Sequence, residues 1–456
     1  MELLSDFPFF PIEFDKRAKL VSSQQLEDLK AALQEDATTD LIVISHGWNN
    51  DIADAKNLYA RFLQTARKLI DGGQLPAAVS RQFKVLGVLW PSKKFAEKEL
   101  IPGGAAGVEG VDAAALAASL KELQGVFDAA DADQNLAKMA SLAPRLEDSD
   151  KACIEFVTLA RGLVKPGSSD GADGSDLFFK LPPEDVFEKL KQPVSLIAPM
   201  APASADVAAE TDGIETIGFD TVSLGISTGT VDDQGGAAGL GAMFSGIGSA
   251  AGNVLNLTTY YQMKERAGLI GRVGLNPLLR DLQQAHPRLR LHLMGHSFGG
   301  RLVTAAMAGE SEATLLRADS LALLQAAYSH YGLAKQWDGE HDGIFRRVLS
   351  SNALQGPGVI THTANDKAVG LAYPLASLLG GQVAAGLGDA NDKYGGMGRN
   401  GAQKTPEAQR GVLMDVGTDY GFKAGNLHNL CADEYVKSHG DITGKQVVYA
   451  VFQAIG

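Results

Sequence analysis

Short apolar runs alternate with longer segments of helical periodicity in the first hundred residues. The runs LIVIS (41–45) and KVLGVLW (84–90) are bounded by turn residues, as buried parallel strands usually are. Between them, residues 53–69 place apolar side chains at the spacing of a helix that packs on a sheet. This strand, helix, strand order predicts a parallel βαβ unit.

The same alternation returns in the last third of the chain. LRLHLM (289–294) predicts a strand that is followed by a helix over residues 301–308, and RRVLSSNAL (346–354) and GVITHT (358–363) predict two more strands. The final run KQVVYAVFQAIG (445–456) fits a closing helix or a closing strand. Together the two regions predict an α/β fold with a mostly parallel, doubly wound sheet.

The part of the chain between Trp90 and Leu289 breaks this alternation. Residues 111–163 are rich in Ala, Leu, Asp and Lys at helical spacing. We therefore interpret the region as a large, mainly helical cap inserted over the carboxyl edge of the sheet. The predicted domains are a core of residues 1–92 and 256–456 and a cap of residues 93–255.

One segment of the cap, residues 235–253, contains no charged residue and many glycines. Glycine weakens a helix, and the segment falls short of the roughly 20 apolar residues that a membrane-spanning helix needs. We therefore predict a mobile part of the cap or a close-packed loop, with no integral membrane span. Residues 260–285 have helical spacing and lead the chain back to the sheet.

Composition and charge restrict the classes of partner. Hydrophobic residues make up 45% of the 456 residues and charged residues 21%, as in soluble globular proteins. The formal net charge is -13, whereas nucleic-acid binding usually requires a basic patch. We therefore expect no nucleic-acid partner, and nothing in the sequence indicates an oligomeric state.

The cysteines and the first residues bear on the compartment. Cys153 and Cys431 are the only two cysteines, which is too few for a disulfide framework. The first twenty residues place an acid early and prolines inside the apolar run, unlike a signal peptide. We expect a cytoplasmic location, with export that uses no cleaved signal as the alternative.

The sharpest chemical signal is GHSFG, at residues 295–299, directly after the strand LRLHLM and directly before a helical segment that starts at Gly300. A turn this tight between a strand and a helix forces Ser297 into a strained backbone conformation, and the flanking glycines remove Cβ atoms that would collide. The N–H of the next residue, Phe298, then lies at a helix start, where negative charge is favoured. The motif predicts a nucleophilic serine.

These residues resemble the α/β-hydrolase superfamily, in particular its lipase, esterase and serine-peptidase-like members with G-H-S-x-G. The resemblance covers residues 41–92 and 289 to the end and implies an α/β-hydrolase fold. In that family the loop after an early strand carries an HG pair that completes the oxyanion hole, and here SHGWNN follows LIVI. By resemblance, Trp48 or Gly47 supplies the second oxyanion N–H beside Phe298, and His46 braces the loop.

A serine nucleophile needs a histidine base, which in this superfamily follows the acid in the chain. His439 lies in SHGDI, a polar turn close to the end of the sequence and just after the helical-looking ADEYVKS (432–438). We predict His439 as the base, and His428 is the runner-up.

The acid is predicted from its place after a strand. The strand GVITHT leads into ANDKAV, which puts Asp366 just beyond a carboxyl end, where active-site residues of open α/β sheets collect. Asp389 and Asp392 are weaker rivals because they follow a Gly-rich stretch. The alternative for Asp366 is a solvated turn residue.

Cofactor motifs are missing from the sequence. It contains no HExxH, no CxxC and no Walker-type GK[ST], so we expect neither a metal nor an organic cofactor.

The sequence thus predicts a serine hydrolase that cleaves carboxylic esters, like a carboxylesterase or lipase, through a Ser-His-Asp triad and an acyl-enzyme. Two uncharged segments, 235–253 and 369–387, could line an apolar acyl pocket, so a small-molecule or lipid-like ester is the expected substrate and transient contact with a lipid surface would fit it. A serine peptidase or amidase is the main alternative, since the fold does not settle the substrate. An inactive hydrolase-like binding protein is the alternative from another class.

Overall fold

The computed structural model describes residues 2–35, 38–92, 113–164, 171–191, 247–366, 369, 379–380 and 392–456. Within these residues, nine strands form one sheet in the order β1-β2-β4-β3-β5-β6-β7-β9-β8. All neighbours pair in parallel except β1 and β2. The strands are β1 Glu2–Leu4, β2 Phe7–Glu13, β3 Asp40–Ser45, β4 Phe83–Leu89, β5 Arg290–His296, β6 Ser320–Leu324, β7 Gly358–His362, β8 Ala408–Val412 and β9 Leu427–Cys431.

Helices cover both faces of this sheet. The α-helices are α1 Ser23–Glu35, α2 Ile52–Asp71, α3 Ala113–Glu122, α4 Ala132–Leu142, α5 Asp150–Arg161, α6 Ser175–Lys180, α7 Pro183–Leu190, α8 Ile247–Leu269, α9 Asn276–Ala285, α10 Phe298–Ala308, α11 Arg347–Ser350, α12 Met397–Asn400 and α13 Lys445–Ile455. A π-helical stretch, Ile270–Leu275, joins α8 to α9. The prediction of an α/β fold with a mostly parallel sheet is confirmed.

The two faces of the sheet carry two separate cores. On one face, Ile42 of β3 packs with Phe62 of α2 and Phe452 of α13. On the other, Val43 packs in the same cluster as Leu302 of α10 and the helices of the inserted region. Neighbouring residues of β3 thus serve opposite cores because side chains alternate along a strand.

The chain changes direction across the sheet between β3 and β5. The strand β4 lies on one side of β3, whereas β5 lies on its other side although 200 residues separate Leu89 from Arg290 in sequence. Ligands of open α/β sheets bind outside the carboxyl ends of strands at such a switch point. Here those ends lead into His46 and Ser297.

The strand predicted for RRVLSSNAL was wrong. RRVLSSNAL contains the short helix α11 and turns instead of a strand, and the neighbouring strand is SLALL, which forms β6. Val348 is buried in the same core as α10, so its burial reflects helix packing. Apolar runs of this length do not distinguish a strand from a buried turn of helix.

Three further elements differ from, or go beyond, the sequence interpretation. ADEYVKS is a turn, and the strand β9 lies just before it. The apolar residues near the beginning of the chain form β2, which the sequence interpretation did not include. The final run forms the helix α13, which was one of the two alternatives.

The inserted region is helical where the structure describes it. Helices α3, α4 and α5 lie within the predicted helical residues 111–163. The helix α8 begins at Ile247 and passes through the proposed domain boundary at residue 255 without a break. Residues 247–253 are therefore helical rather than a loop, and residues 235–246, with most of 369–387, lie outside the described residues.

Helix α8 also connects the inserted region to the core. Lys264 of α8 forms a buried ion pair with Asp173, and Arg301 of α10 donates from Nε to the carbonyl of Lys264 over 3.0 Å. None of the helices among the described residues is long and apolar enough to cross a membrane.

Candidate active site

Ser297 occupies the turn between β5 and α10. Its φ of 56° and ψ of -125° lie in a region that residues with a Cβ rarely adopt. The turn is held from both sides, because the Ser297 N–H donates to Leu324 O over 3.0 Å and its carbonyl accepts from the N–H of Ala327, also over 3.0 Å. Such an over-determined, strained residue is typical of a functional site.

The two flanking glycines are required by close backbone approaches. A Cβ on Gly295 would lie 2.2 Å from the carbonyl oxygen of Gly299, and one on Gly299 would lie 2.2 Å from that of Ser45. Neither space admits a side chain. The glycines therefore allow β5, the turn and the loop after β3 to pack against one another.

The loop after β3 lies directly against the serine. A Cβ on Gly47 would stand 2.6 Å from Ser297 Cβ and 3.2 Å from Ser297 Oγ. The rings of Trp48 and Phe298 are 6.0 Å apart between centroids. Of the three residues predicted to form the oxyanion hole, Gly47 thus lies against the Ser297 side chain, Phe298 follows Ser297 in the chain, and the Trp48 ring lies near that of Phe298. Phe298 is the first residue of α10, where a backbone N–H has no acceptor within its own helix.

His46 braces this loop. Its ring stacks on Trp90 at 5.5 Å, and its Nδ1–H donates to Gly47 O over 2.9 Å. The Nε2 atom then accepts from the N–H of Trp90 at 3.3 Å. Burial lowers the pKa of His46 to about 4, so the ring is neutral near pH 7. Its contacts are those of the bracing residue that the sequence predicts.

Two further residues hold the loop after β3 by hydrogen bonds, and the sequence analysis did not identify them. The hydroxyl of Tyr59 accepts from the N–H of His46 over 2.8 Å, and the hydroxyl of Ser92 accepts from the N–H of Asn50 over 3.2 Å. Tyr59 belongs to the buried face of α2, and in the sequence it is indistinguishable from a packing residue. Only the tertiary structure distinguishes its role.

His439 and Asp366 meet although 73 positions separate them in the chain. His439 Nδ1 donates to Asp366 Oδ2 over 2.9 Å, and Asp366 is fully buried. The other carboxylate oxygen accepts from the N–H of Val369, also over 2.9 Å. Asp366 follows β7, and His439 follows β9 and its turn, so both lie at the carboxyl edge that carries Ser297.

His296 joins this pair to the nucleophile turn. It precedes Ser297, its Nε2–H donates to the carbonyl of His439 over 2.8 Å, and the centroids of the two rings are 4.7 Å apart. Among the described residues, the Ser297 side chain makes no hydrogen bond to His439. Hydrogen bonds of this kind often form only in the complex with substrate.

The rival residues lie in different surroundings. His428 is in β9, where its Nε2 accepts from the N–H of Lys423 over 3.1 Å and its ring contacts Phe422. Asp392 is buried and accepts from the N–H of Tyr394, and Asp389 lies outside the described residues. The structure thus pairs His439 with Asp366.

In the described part of the chain, no group of three His, Cys, Asp or Glu side chains is arranged to hold a metal ion.

We compared the chain with known proteins. No family model, curated protein or solved structure matches it.

Proposed function

We propose that this protein is a serine hydrolase of the α/β-hydrolase type that cleaves carboxylic esters through an acyl-enzyme. The observation that carries the proposal is the strained Ser297 turn at the switch point of the sheet. The buried His439–Asp366 hydrogen bond at the same edge supports it. The chain order of serine, acid and histidine is also that of this class of enzyme.

The first half of the proposed reaction forms the ester bond to the enzyme. Ser297 Oγ attacks the substrate carbonyl carbon while His439 Nε2 accepts the hydroxyl proton. The proton then passes from His439 to the leaving alcohol as the bond between the carbonyl carbon and the leaving oxygen breaks. In the second half, His439 takes a proton from a water molecule whose oxygen attacks the acyl carbon. The proton then passes from His439 to Ser297 Oγ as the bond between that carbon and Oγ breaks, which releases the carboxylic acid and restores the serine.

Asp366 has two roles in this mechanism. Its Oδ2 atom, bound to His439 Nδ1, keeps the proton on that nitrogen and so leaves Nε2 as the acceptor. Its negative charge also stabilises the imidazolium that forms when His439 takes the serine proton. A buried carboxylate does this strongly because little water screens the interaction.

The oxyanion that develops on the substrate would be bound by backbone N–H groups. The N–H of Phe298 at the start of α10 and that of Gly47 or Trp48 are the donors we propose. Each such donor typically contributes about 3 kcal/mol to stabilisation of the transition state.

Buried aromatic side chains pack next to the serine turn, and they are our basis for proposing an ester with an apolar acyl or alcohol part. The buried Phe298 ring lies 6.0 Å from Trp48 and 5.1 Å from Tyr260 of α8, measured between centroids. Pockets for such groups are lined mainly by aromatic and aliphatic side chains. Small-molecule or lipid-like esters are therefore the substrates we propose.

We also propose a cytoplasmic location, which rests on the sequence alone.

Labelling with a fluorophosphonate probe tests the proposal directly, because the probe reacts with an activated serine. We expect one labelled peptide, containing Ser297, and no labelling of the Ser297→Ala protein. Labelling elsewhere, or none in a protein that remains folded, would contradict the proposal.

Matched substrates then test the class of bond. p-Nitrophenyl esters from acetate to long acyl chains, compared with the corresponding p-nitroanilides, separate an esterase from an amidase. We expect hydrolysis of esters well above that of anilides. The reverse order would favour a peptidase or amidase with the same catalytic residues.

A further inference from the structure

His439 is held at two different atoms by two different parts of the fold. Asp366, after β7, accepts from its side-chain Nδ1 over 2.9 Å, and His296, at the end of β5, donates to its main-chain carbonyl over 2.8 Å. A carbonyl oxygen can only accept a hydrogen bond. The proton of His296 must therefore be on Nε2.

His296 is itself well fixed. It is the last residue of β5, pairs with Leu324 of β6, and is 8% exposed. Its ring lies 4.7 Å from that of His439, at an interplanar angle of 42°. Because Ser297 is the next residue, His296 connects the base directly to the strand that carries the nucleophile.

The remaining nitrogen of His296 is closed off from water. Among the described residues its Nδ1 atom is buried without a hydrogen-bond partner. A Cβ on Gly47 would stand 3.2 Å from this Nδ1, so the backbone of the oxyanion loop lies against it. The ring is thus enclosed between the loop after β3 and the loop that carries His439.

This environment keeps His296 neutral. Burial and the neighbouring His439 lower its pKa to about 3. The other nearby titratable ring, that of His46, also has a pKa that burial lowers, to about 4. His296 can therefore donate one hydrogen bond without adding a positive charge beside the imidazolium of His439.

We propose that His296 is a positioning residue for the base: its Nε2–H holds the His439 carbonyl and so sets where the His439 imidazole stands relative to Ser297. This inference rests on the proposed function. Asp366 fixes the tautomer and rotation of the His439 ring, whereas His296 fixes the main chain from which that ring extends. A ring displaced by about 1 Å would lose much of its efficiency in proton transfer.

Two substitutions separate the hydrogen bond from the packing. His296→Gln keeps an N–H donor at a reach similar to Nε2, whereas His296→Phe keeps an aromatic ring and removes the donor. We expect His296→Phe to lower kcat for a p-nitrophenyl ester by about 10- to 100-fold with little change in KM. We expect His296→Gln to recover most of the loss.

The split between kcat and KM, together with rescue by His296→Gln, supplies a readout that a purely structural role would not give. Loss of the hydrogen bond should lower kcat in His296→Phe at nearly unchanged KM and leave kcat close to wild type in His296→Gln, whereas loss of packing should lower kcat and the melting temperature in both variants. An unchanged kcat in His296→Phe would overturn the inference. So would an equal loss of kcat in both variants, since that would indicate packing alone.

A measurement independent of activity separates this inference from the proposed function. In protein labelled with ¹⁵N-histidine, the His296 ring should be the neutral tautomer with a slowly exchanging proton on Nε2, and the same signal should persist in Ser297→Ala. Nδ1 protonation would overturn the inference in an active enzyme. If the wild-type protein hydrolyses no ester and takes no fluorophosphonate, the proposed function fails, while the tautomer still decides the hydrogen bond.

Discussion

Two groups of serine, histidine and aspartate lie at opposite ends of the same sheet. At the amino end, Ser320 Oγ lies 2.9 Å from His292 Nδ1, and His292 Nε2 lies 2.9 Å from Asp40 Oδ1. At the carboxyl end, His439 binds Asp366 at the same distance, but the side chain of Ser297 makes no hydrogen bond to His439 among the described residues. The continuous chain of hydrogen bonds from serine through histidine to aspartate is therefore at the amino end of the sheet, where we propose no reaction.

The surroundings of the two serines explain this difference. Ser320 is the first residue of β6 and lies within a regular strand, whereas burial does not distinguish the two serines, since Ser320 is 4% and Ser297 5% exposed. Ser297 stands in a strained turn at the start of α10, beside the backbone N–H groups that we propose bind the oxyanion. A serine nucleophile needs N–H donors for the oxyanion, and we propose such donors only at Ser297, where Phe298 begins α10.

The surroundings of Asp40 and Asp366 also differ. Asp40 is fully buried and forms ion pairs with Arg81 and, over 3.2 Å, with Arg290. Burial alone would raise its pKa, but the hydrogen bonds from His292 and Arg81 outweigh burial and hold the pKa well below its usual value. The charge of Asp40 is thus neutralised by arginines in the resting fold, which indicates a structural role. That of Asp366 faces the base, and we propose that it supports the imidazolium.

The strongest test of the comparison is Ser297→Ala. We expect the variant to lose all detectable ester hydrolysis because no other described serine has the same turn, while its melting temperature stays close to that of the wild type. Turnover near the wild-type level would show that the carboxyl-end group is not the catalytic one.

His439→Ala and Asp366→Asn should each lower kcat by about 10⁴-fold, since the members of a triad act as a unit. Steady-state kinetics at a fixed pH measures the effect. His428→Ala is the matched control and should stay close to wild type. A larger loss in His428→Ala than in His439→Ala would move the base to β9.

Asp40→Asn should affect stability rather than turnover. Removing one partner of a buried ion pair costs about 3–5 kcal/mol, and urea unfolding at pH 7 measures that loss. Because the folded pKa of Asp40 is lowered, its contribution is present above the unfolded pKa of about 4 and is lost as the pH falls towards the folded value. The difference between wild type and variant should shrink as the pH is lowered below 4. A difference that grows on acidification would contradict the assignment.

Gly47→Ala should lower kcat by about 100-fold, because the new Cβ would stand 2.6 Å from Ser297 Cβ and displace the loop after β3, which we propose supplies an oxyanion donor. Gly252→Ala is a suitable control, since a Cβ there meets no atom within 4 Å. Equal kinetics for the two variants would show that the loop does not need its close approach to the serine.

Ser320→Ala should have the smallest effect. It removes one buried hydrogen bond, to His292 Nδ1, which is typically worth about 1 kcal/mol of stability. Ester turnover should remain at the wild-type level at 25 °C. A large loss of kcat in a folded Ser320→Ala protein would reverse the comparison between the two ends.

Local patterns in the sequence predicted a good part of this molecule. The apolar runs of β3, β4 and β5 and the helix α2 could be identified because burial on a sheet leaves a simple periodicity. The position of Ser297 followed from its flanking glycines, which are needed wherever backbones approach within the reach of a Cβ. These features depend on near neighbours in the chain.

Other elements depended on packing between distant segments. SLALL forms β6, whereas RRVLSSNAL forms no strand. The neighbouring strands and helices decide which short apolar run enters the sheet. The same holds for Tyr59, a helix residue whose hydroxyl meets His46 only in the folded protein.

The sequence by itself determined that a serine would stand in a tight turn between a strand and a helix, with an HG loop and candidate acids and bases elsewhere. The tertiary structure alone decided that Asp366 meets His439, that His296 holds the carbonyl of His439, and that Ser320, His292 and Asp40 join at the other end. The reason is that a hydrogen bond depends on distance and direction to within a fraction of an ångström. Residues 73 or 143 positions apart leave no local pattern from which such a geometry could be predicted.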